Sequence, residues 1–520
     1  MQELFPGWEM MKMARGQLSV SSWITQNLPK GSRIAFDPYL VNVSSAVSRI
    51  SFYQTEGFEF VPHEENFINL VWKARPGVSQ DPVYVHELQY AGKSVAEKLE
   101  LVESKFKENF LFTSTLDDIA WLLNLRGNDI EYNPLFFAYL LIDRRTQPTQ
   151  LTLFVNLHKV SSISEYLNGN NIRVHEYESV SQVLADIQEK VVIDENELNF
   201  GLYGKIKNPV NVPNIIARVK AVKNEREIRG FIESHQRDAV AMIKYFTWLE
   251  KSLKTGEKLN EWTAALKLDQ LRAEQPLNKG LSFENISSSG PNAAIIHYAA
   301  TADKNRDLCL DEIYLLDSGG QYLDGTIDTT RTLHFGNPSE WEKECFTRVL
   351  LGNLDLERVK WPETARLTGN DFDVIPRRWL WQKGLDYNHA TGHGVGYFLN
   401  VHEGPHYLCK GGDEEFRLNM NITNEPGYYE EGKFGIRIEN VLLIQRSSNH
   451  PDFLEFFNVT LVPYDKNLLD LNLIDKETID YINTYHDRIQ TTLGPILLDQ
   501  NESEAFNYLQ KATSPIIINP

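Results

Sequence analysis

The chain has 520 residues, 42% of them hydrophobic and 24% charged, a balance that excludes a disordered or fibrous polymer. Its length suits three or four domains of about 100–200 residues each. The formal charge of −19, from 52 basic and 71 acidic side chains, repels phosphate backbones and anionic lipid surfaces, so neither nucleic acid nor a membrane is an expected partner. The opening MQELFPGWEMMKMARG lacks the apolar core of a secretory signal, and no run of about 18 apolar residues follows it to span a bilayer. Cys309, Cys345 and Cys409 are too few and too scattered for a disulfide framework or a CxxC metal site, and a reducing compartment suits them. The expected location is cytoplasmic. The sequons at Asn42 and Asn458 are then chance matches.

In chain order, LSVSSWITQNL reads as a helix, SRIAFDP as a strand, and the Pro/Gly-containing run Arg75 to Pro82 as a linker. From Val83 to about Arg218 helical and strand patterns alternate, as in VAEKLELVESKFK, LFFAYLLID, LTLFVN and IRVHEY, which predicts an α/β layer domain. VSQVLADIQEK followed by LNFGLYGK has the helix, turn and strand layout of the first unit. The chain therefore reads as two copies, the first lacking its front half and beginning amid four of the six methionines. After Lys220, KNEREIRGFIESHQRDAVAMIKYFTWLEKSL predicts a long amphipathic helix. EIYLLDSG, TIDTTRTLHF and FGIRIENVLLI read as strands and EWEKECFTRVLLGNLDL as a helix, together predicting helices on a mainly antiparallel sheet. A helical extension runs from about Asp465 to Pro520.

Chemistry concentrates in this last large unit. EIYLLD and TIDTTRTLHF, joined by SGGQYLDG, predict a hairpin that brings Asp317 and Asp328 together across paired strands. Like charges repel there unless something positive lies between them. Asp324 reads as a turn cap. HATGHGVGYFLNVHEGPH packs His389, His393, His402 and His406 into eighteen residues, and its glycines argue against a helix. No Lys-Ser/Thr follows, which weighs against a phosphate loop. TNEPGYY contributes Glu425, and FGIRIEN contributes Arg437 and Glu439, two apart on a strand and so on one face. Arg437 is placed to neutralise a neighbouring carboxylate. Asp317, Asp328, His393, Glu425 and Glu439 form an oxygen-rich set with one nitrogen, which suits hard divalent ions such as Mn²⁺. Four carboxylates exceed what one ion needs, whereas two ions about 3.5–4 Å apart would balance them and generate hydroxide near neutral pH.

LLDSGGQYLDGTIDTTRT, GHGVGYFLNVHEGP, NEPGYYEEGKFGIRIEN and SSSGPNAAIIHY resemble the signatures of the pita-bread metallopeptidases, and within them of the eukaryotic-type Xaa-Pro aminopeptidases (aminopeptidase P). The resemblance runs from about Trp8 to the tail and includes NLRGNDIEYNP. It implies α/β creatinase-like amino-terminal domains at 1–78 (partial) and 79–218, an α+β pita-bread catalytic domain at 219–464, and a C-terminal helical extension at 465–520. It also implies two Mn²⁺ per subunit. Asp317 would be a terminal ligand of one, Asp328 and Glu439 would bridge both, and His393 and Glu425 would complete the second. The shared hydroxide would attack the carbonyl preceding a proline, with Glu425 handling protons and His297, His389 and His402 orienting substrate or stabilising the tetrahedral intermediate. Peptides with proline at the second position are the implied substrates, and a homodimer the implied assembly. Ala390 and Asn424 stand where the family has Gly and Asp, a change bearing on loop geometry and on the hydrogen bonds around the ligands.

Two other readings use the same residues. Pita-bread domains also serve as non-catalytic interaction modules, although such modules typically lose ligands and all five remain here. A prolidase-like dipeptidase would share the chemistry but leave a tripeptide uncut.

Overall fold

Residues 19–517, together with Gly7, Glu9 and Met11, are described by a computed structural model. Trp8 and most of the methionine-rich opening lie outside the described residues. Among the described residues no helix is long and apolar enough to cross a membrane.

The first unit is a helix (Val20–Asn27), a strand (Arg33–Phe36), a helix (Val43–Thr55) and a strand (Glu59–Pro62), the strands pairing in parallel with Arg33 opposite Glu59. The second is a mixed six-stranded sheet in the order 208–211, 190–193, 110–113, 139–143, 150–154, 172–175. The repeat is present with a different phase from the one read in the sequence. LNFGLYGK is no strand, because the Asn199 side chain accepts from the Leu202 N–H at 2.8 Å and turns Phe200–Tyr203 into a short helix. The strand lies just upstream at Lys190–Ile193. Each copy runs from a strand through an Asp to a helix-capping Asn, Asp37 to Asn42 and Asp194 to Asn199, and the two caps bridge in antiparallel fashion. Their bonds are reciprocal: Val43 N–H donates to Leu198 O (3.0 Å) while Phe200 N–H donates to Val41 O (2.9 Å). The copies therefore meet across a local twofold.

The last unit begins with α1 (Glu225–Lys254), started by a capping box between Asn224 and Glu227. Strands β1 (Tyr314–Ser318) and β2 (Thr329–Leu333) pair antiparallel, with Asp317 opposite Thr330. Helix α2 (Glu340–Glu357) follows, then β3 (Gly392–Gly394), β4 (Asn421–Asn424), β5 (Phe434–Arg437) and β6 (Asn440–Arg446). Every strand pairing in this unit is antiparallel, as the sequence pattern predicts. FGIRIENVLLI is not one strand, however. β5 pairs with residues 427–430 and β6 with β4, and the chain breaks at Ile438 and Glu439 to pass between them.

The C-terminal helices are built into the core rather than appended to it. Helix α3 (Lys476–Asp499) buries Ile482, Ile489 and Leu493 in the same apolar cluster as Phe246 and Leu249 of α1 and Leu350 and Leu354 of α2. Pro495 lies inside α3.

Two buried polar contacts tie the α/β unit to the last unit. Arg126, from NLRGND, donates to the carbonyls of Ala120 and Leu125 on its own side and of Tyr397 and Phe398 on the other. Lys220, 2% exposed, is held by Asp117 and by Asp118 (2.9 Å) and faces Glu403, which in turn binds Lys223. Removing the Lys220 charge leaves the buried carboxylates of Asp117 and Asp118 facing each other with no cation between them. Lys220→Met is therefore expected to destabilise the chain by about 3–5 kcal/mol. A urea unfolding midpoint equal to that of the parent protein would contradict this account of the junction.

Candidate metal centre

Strand parity explains how Asp317 and Asp328 meet. Asp317 faces Thr330, and Asp328 lies two residues before Thr330, so the two acids project from the same face as diagonal neighbours. The close third acid comes from the β5–β6 break, where the Glu439 N–H is anchored on Thr330 O at 3.1 Å. Oxygens of Asp317, Asp328 and Glu439 lie within 4.8 Å of one another, as do the ligand atoms of His393, Glu425 and Glu439, and those of Asp328, His393 and His402. Glu439 belongs to two of these groups, and so does Asp328.

His393 reaches the cluster from β3. Its flanking glycines are required by close approach: a Cβ on Gly392 would sit 1.9 Å from Thr423 O, and one on Gly394 would sit 2.5 Å from Glu403 O. The His393 N–H bonds Thr423 Oγ1 (2.9 Å), and its ring Nδ1 donates to Gly394 O (2.8 Å), which turns Nε2 toward Asp328 (3.4 Å) and Glu425 (3.5 Å). Arg437 ends β5, is 2% exposed, and donates to Asp317 Oδ2 at 2.7 Å. It also donates to Thr330 Oγ1 (3.2 Å), which itself donates to Glu439 Oε2 (2.8 Å), and to the Tyr429 hydroxyl (2.7 Å).

Both ring nitrogens of His389 are engaged, Nδ1 by Ala390 O (2.7 Å) and Nε2 by the Tyr429 hydroxyl (2.9 Å). Burial, then the Arg437 charge, lower its pKa to about 3, so the ring is neutral. His297 and His402 are exposed at the mouth, His402 in edge-to-face contact with His393 at 4.2 Å. His406 lies apart, buried and bonded to Asn421 O (2.7 Å). Asp324 does more than cap its turn: its carboxylate is 1% exposed and ion-paired with Arg237 of α1. Ala390 lies outside the left-handed region, so its methyl group strains no backbone there. The sequence reading gave no role to Thr330, Thr423 or Tyr429, although all three stand within two to four residues of a candidate ligand in the quoted motifs.

The cluster heads a cavity of about 540 Å³ whose other walls include Phe283, Ile286, Ile296 and Tyr407. The residues present fit a pair of divalent cations. The donors are carboxylate oxygens with one imidazole, and Asp317 Oδ1 is buried without a hydrogen-bond partner, a position a cation would satisfy. Without a cation the acids repel. Burial first, then the charge of Asp328, raises Glu439 well above the usual carboxylate range, and burial raises Asp317 against the opposing pull of Arg437. Burial also raises Glu425 to about 7, against His393. Burial opposes the His393 charge, yet its bond to Asp328 and the charge of Glu425 hold its pKa at about 9.

Comparison with known proteins matches residues 74–227 to the creatinase/prolidase N-terminal domain, 229–446 to metallopeptidase family M24, and 452–516 to the C-terminal region of that peptidase family. The chain is 39% identical over 530 residues to Xaa-Pro aminopeptidase 2 of Sus scrofa, covering 98% of this chain and 77% of that protein. It is 35% identical to aminopeptidase P1 of Arabidopsis thaliana, covering 100% and 88%. Its fold superposes with a TM-score of 0.92, at 32% identity, on the crystal structure of an X-prolyl aminopeptidase from Caenorhabditis elegans, covering 97% of this chain and 84% of that one. That protein is described as a cytosolic enzyme with a di-nuclear active site. The fold is thus the creatinase-type α/β followed by the α+β pita-bread.

The protonation pattern sets a pH dependence. The cation-free site holds protons on Glu425 up to about 7 and on His393 up to about 9, and a cation must displace both. The free site binds more protons than the loaded one, so cation affinity rises with pH. The apparent Kd for Mn²⁺ is expected to weaken at least about tenfold from about pH 7.5 to about pH 5.5, with proton release visible by calorimetry in buffers of different ionisation enthalpy. An affinity flat across that range would refute the ligand set.

Proposed function

Because the chain belongs to the Xaa-Pro aminopeptidases of metallopeptidase family M24, we propose that it releases the N-terminal residue of peptides whose second residue is proline, using two Mn²⁺ ions. It is a metallopeptidase; the finer reading concerns the metal, the ligands and the roles of individual side chains. The observation that carries it is that Asp317, Asp328, His393, Glu425 and Glu439 fall into overlapping groups whose ligand atoms lie within 4.8 Å of one another, with a buried carboxylate oxygen of Asp317 left unpartnered. Asp317, Asp328 and Glu439 would hold one cation, and His393 and Glu425 the other together with the shared Asp328 and Glu439. When bound, such a pair would supply Lewis acidity and lower the pKa of water toward neutrality.

The remaining chemistry belongs to side chains of this chain. Glu425, its side chain 17% exposed to the cavity, would take and return a proton during the reaction. Arg437 offsets part of the charge of Asp317 and favours the ionised form of both Asp317 and Glu439, easing the repulsion between them. His297 and His402, exposed at the mouth, orient the substrate carbonyl, while His389, neutral and fixed through Tyr429, shapes the wall beside Glu425. The apolar side of the cavity, with Phe283, Ile286 and Ile296, suits a proline ring better than a charged side chain.

The cytoplasm as the working compartment is supported by three unpaired cysteines and by the cytosolic description of the C. elegans protein. The homodimer implied by the family resemblance belongs to the same proposal. The non-catalytic module is set aside, because the relatives over the full chain carry enzyme names.

Metal-stripped protein reloaded with Mn²⁺ is expected to release the first residue of an Xaa-Pro-Pro tripeptide, followed by chromatography of the free amino acid. Asp328→Asn, at an acid shared by two ligand groups, should lower kcat/KM by about 10³-fold. Cleavage of Xaa-Pro dipeptides with the tripeptide left intact would favour the prolidase reading instead.

A further inference from the structure

Strand pairing stops just short of the two glutamates. In the β4–β6 ladder Asn424 faces Asn440, and the next position would be Glu425 opposite Glu439. There the backbones part: the Glu425 N–H goes to Thr391 O (2.8 Å) and the Glu439 N–H to Thr330 O (3.1 Å). The spacing of the two acids is therefore not set by the ladder that carries them.

One side chain spans the gap. Asn353, on helix α2 and wholly buried, donates from a single amide nitrogen to Asn424 O (2.8 Å) and to Ile438 O (3.1 Å), the carbonyls of the residues immediately before Glu425 and Glu439. Its side-chain oxygen accepts from Asn440 Nδ2 (3.3 Å), and its backbone carbonyl accepts from Asn424 Nδ2 (2.8 Å). Asn424, where the family resemblance leads one to expect Asp, thus returns a bond to the residue that holds it, while its own Oδ1 remains buried and unpartnered. Both donor positions of one NH₂ group are used, which Ser offers only singly and Asp not at all.

Resting on the two-cation reading above, we propose that Asn353 is a positioning residue that sets the separation of Glu425 and Glu439 and thereby the affinity for the second cation. It touches neither substrate nor cation. Its effect passes through the two backbones, so it acts on metal pairing more than on folding.

The test uses full-length, metal-stripped protein titrated with MnCl₂ by calorimetry and followed by electron paramagnetic resonance. Wild type is expected to bind two equivalents and show a spin-coupled pair. Asn353→Asp should raise the dissociation constant of the weaker equivalent about 10–100-fold and show uncoupled Mn²⁺ at the same loading, with Asn353→Ser intermediate. Thr347→Val, a buried change on the same helix that removes the oxygen accepting from the Asp470 N–H, should lower the melting temperature and leave both metal readouts unchanged. If Asn353→Asp does not fold, Asn353→Ser alone decides. Wild-type constants and coupling in the Asn353 variants, or equal metal effects from Thr347→Val, would overturn the proposal. A wild-type protein that binds one equivalent would instead refute the two-cation reading on which it rests.

Discussion

Mutual repulsion among Asp317, Asp328, Glu425 and Glu439 is the constraint around which the last unit is built. Like charges buried at these separations cannot all ionise unless opposite charge sits among them. The chain supplies one guanidinium, Arg437, directly on Asp317, and leaves the rest of the imbalance for cations. A pocket that relaxed would let the acids swing apart, so rigidity is a condition of function. Side-chain bonds supply it: Thr330 joins Glu439 to Arg437, and Thr423 pins the backbone of His393. Hydroxyl groups do this work well because each donates and accepts at once.

The bracing extends to the far end of the chain. Arg331, one residue past Thr330, donates to Glu439 O (2.7 Å), Asn440 Oδ1 (2.8 Å), Val462 O (2.7 Å) and the Tyr485 hydroxyl (3.0 Å). Glu357, one helical turn beyond Asn353, accepts from Asn458 (3.0 Å) and from Tyr481 (2.6 Å). Tyr481 and Tyr485 both lie on α3. Helix α3 thus braces, through Arg331, the backbone at Glu439, and what reads as an appendage in the sequence supports the site.

The division between what was legible in the sequence and what was not follows the range of the interactions. Acids and histidines announce themselves because metal chemistry demands particular residue types, and hairpin parity then predicts which of them share a face. The long amphipathic helix α1 was equally plain, its periodicity and Asn224–Glu227 cap being local. Asn353, Arg331 and Arg126 announce no role in the sequence, since a single polar side chain gives no sign of partners about 70 to 270 residues away. The Asn199 helix reads as a strand in the sequence because F-G-L-Y alternates, while the cap that bends it is a single side-chain bond. FGIRIENVLLI hid its break for a related reason: β propensity is continuous through Ile438, and only the change of pairing partner interrupts the strand.

A gradient of exposure runs through the site and assigns its labour. Glu439 is 1% exposed and Asp328 4%, whereas the Glu425 side chain is 17% exposed. Burial, then the charge of Asp328, raises the Glu439 carboxyl well above the usual carboxylate range in the cation-free state. Glu425 differs in having His393 on one side and the cavity on the other, and in the cation-free state burial raises it to about 7 against the pull of His393. On the proposed reading the deep acids serve as fixed charge, and the more exposed Glu425 as the acid or base. The same depth ordering explains why the exposed histidines, His297 and His402, lie at the mouth, where a peptide entering from solvent meets imidazole before it meets carboxylate.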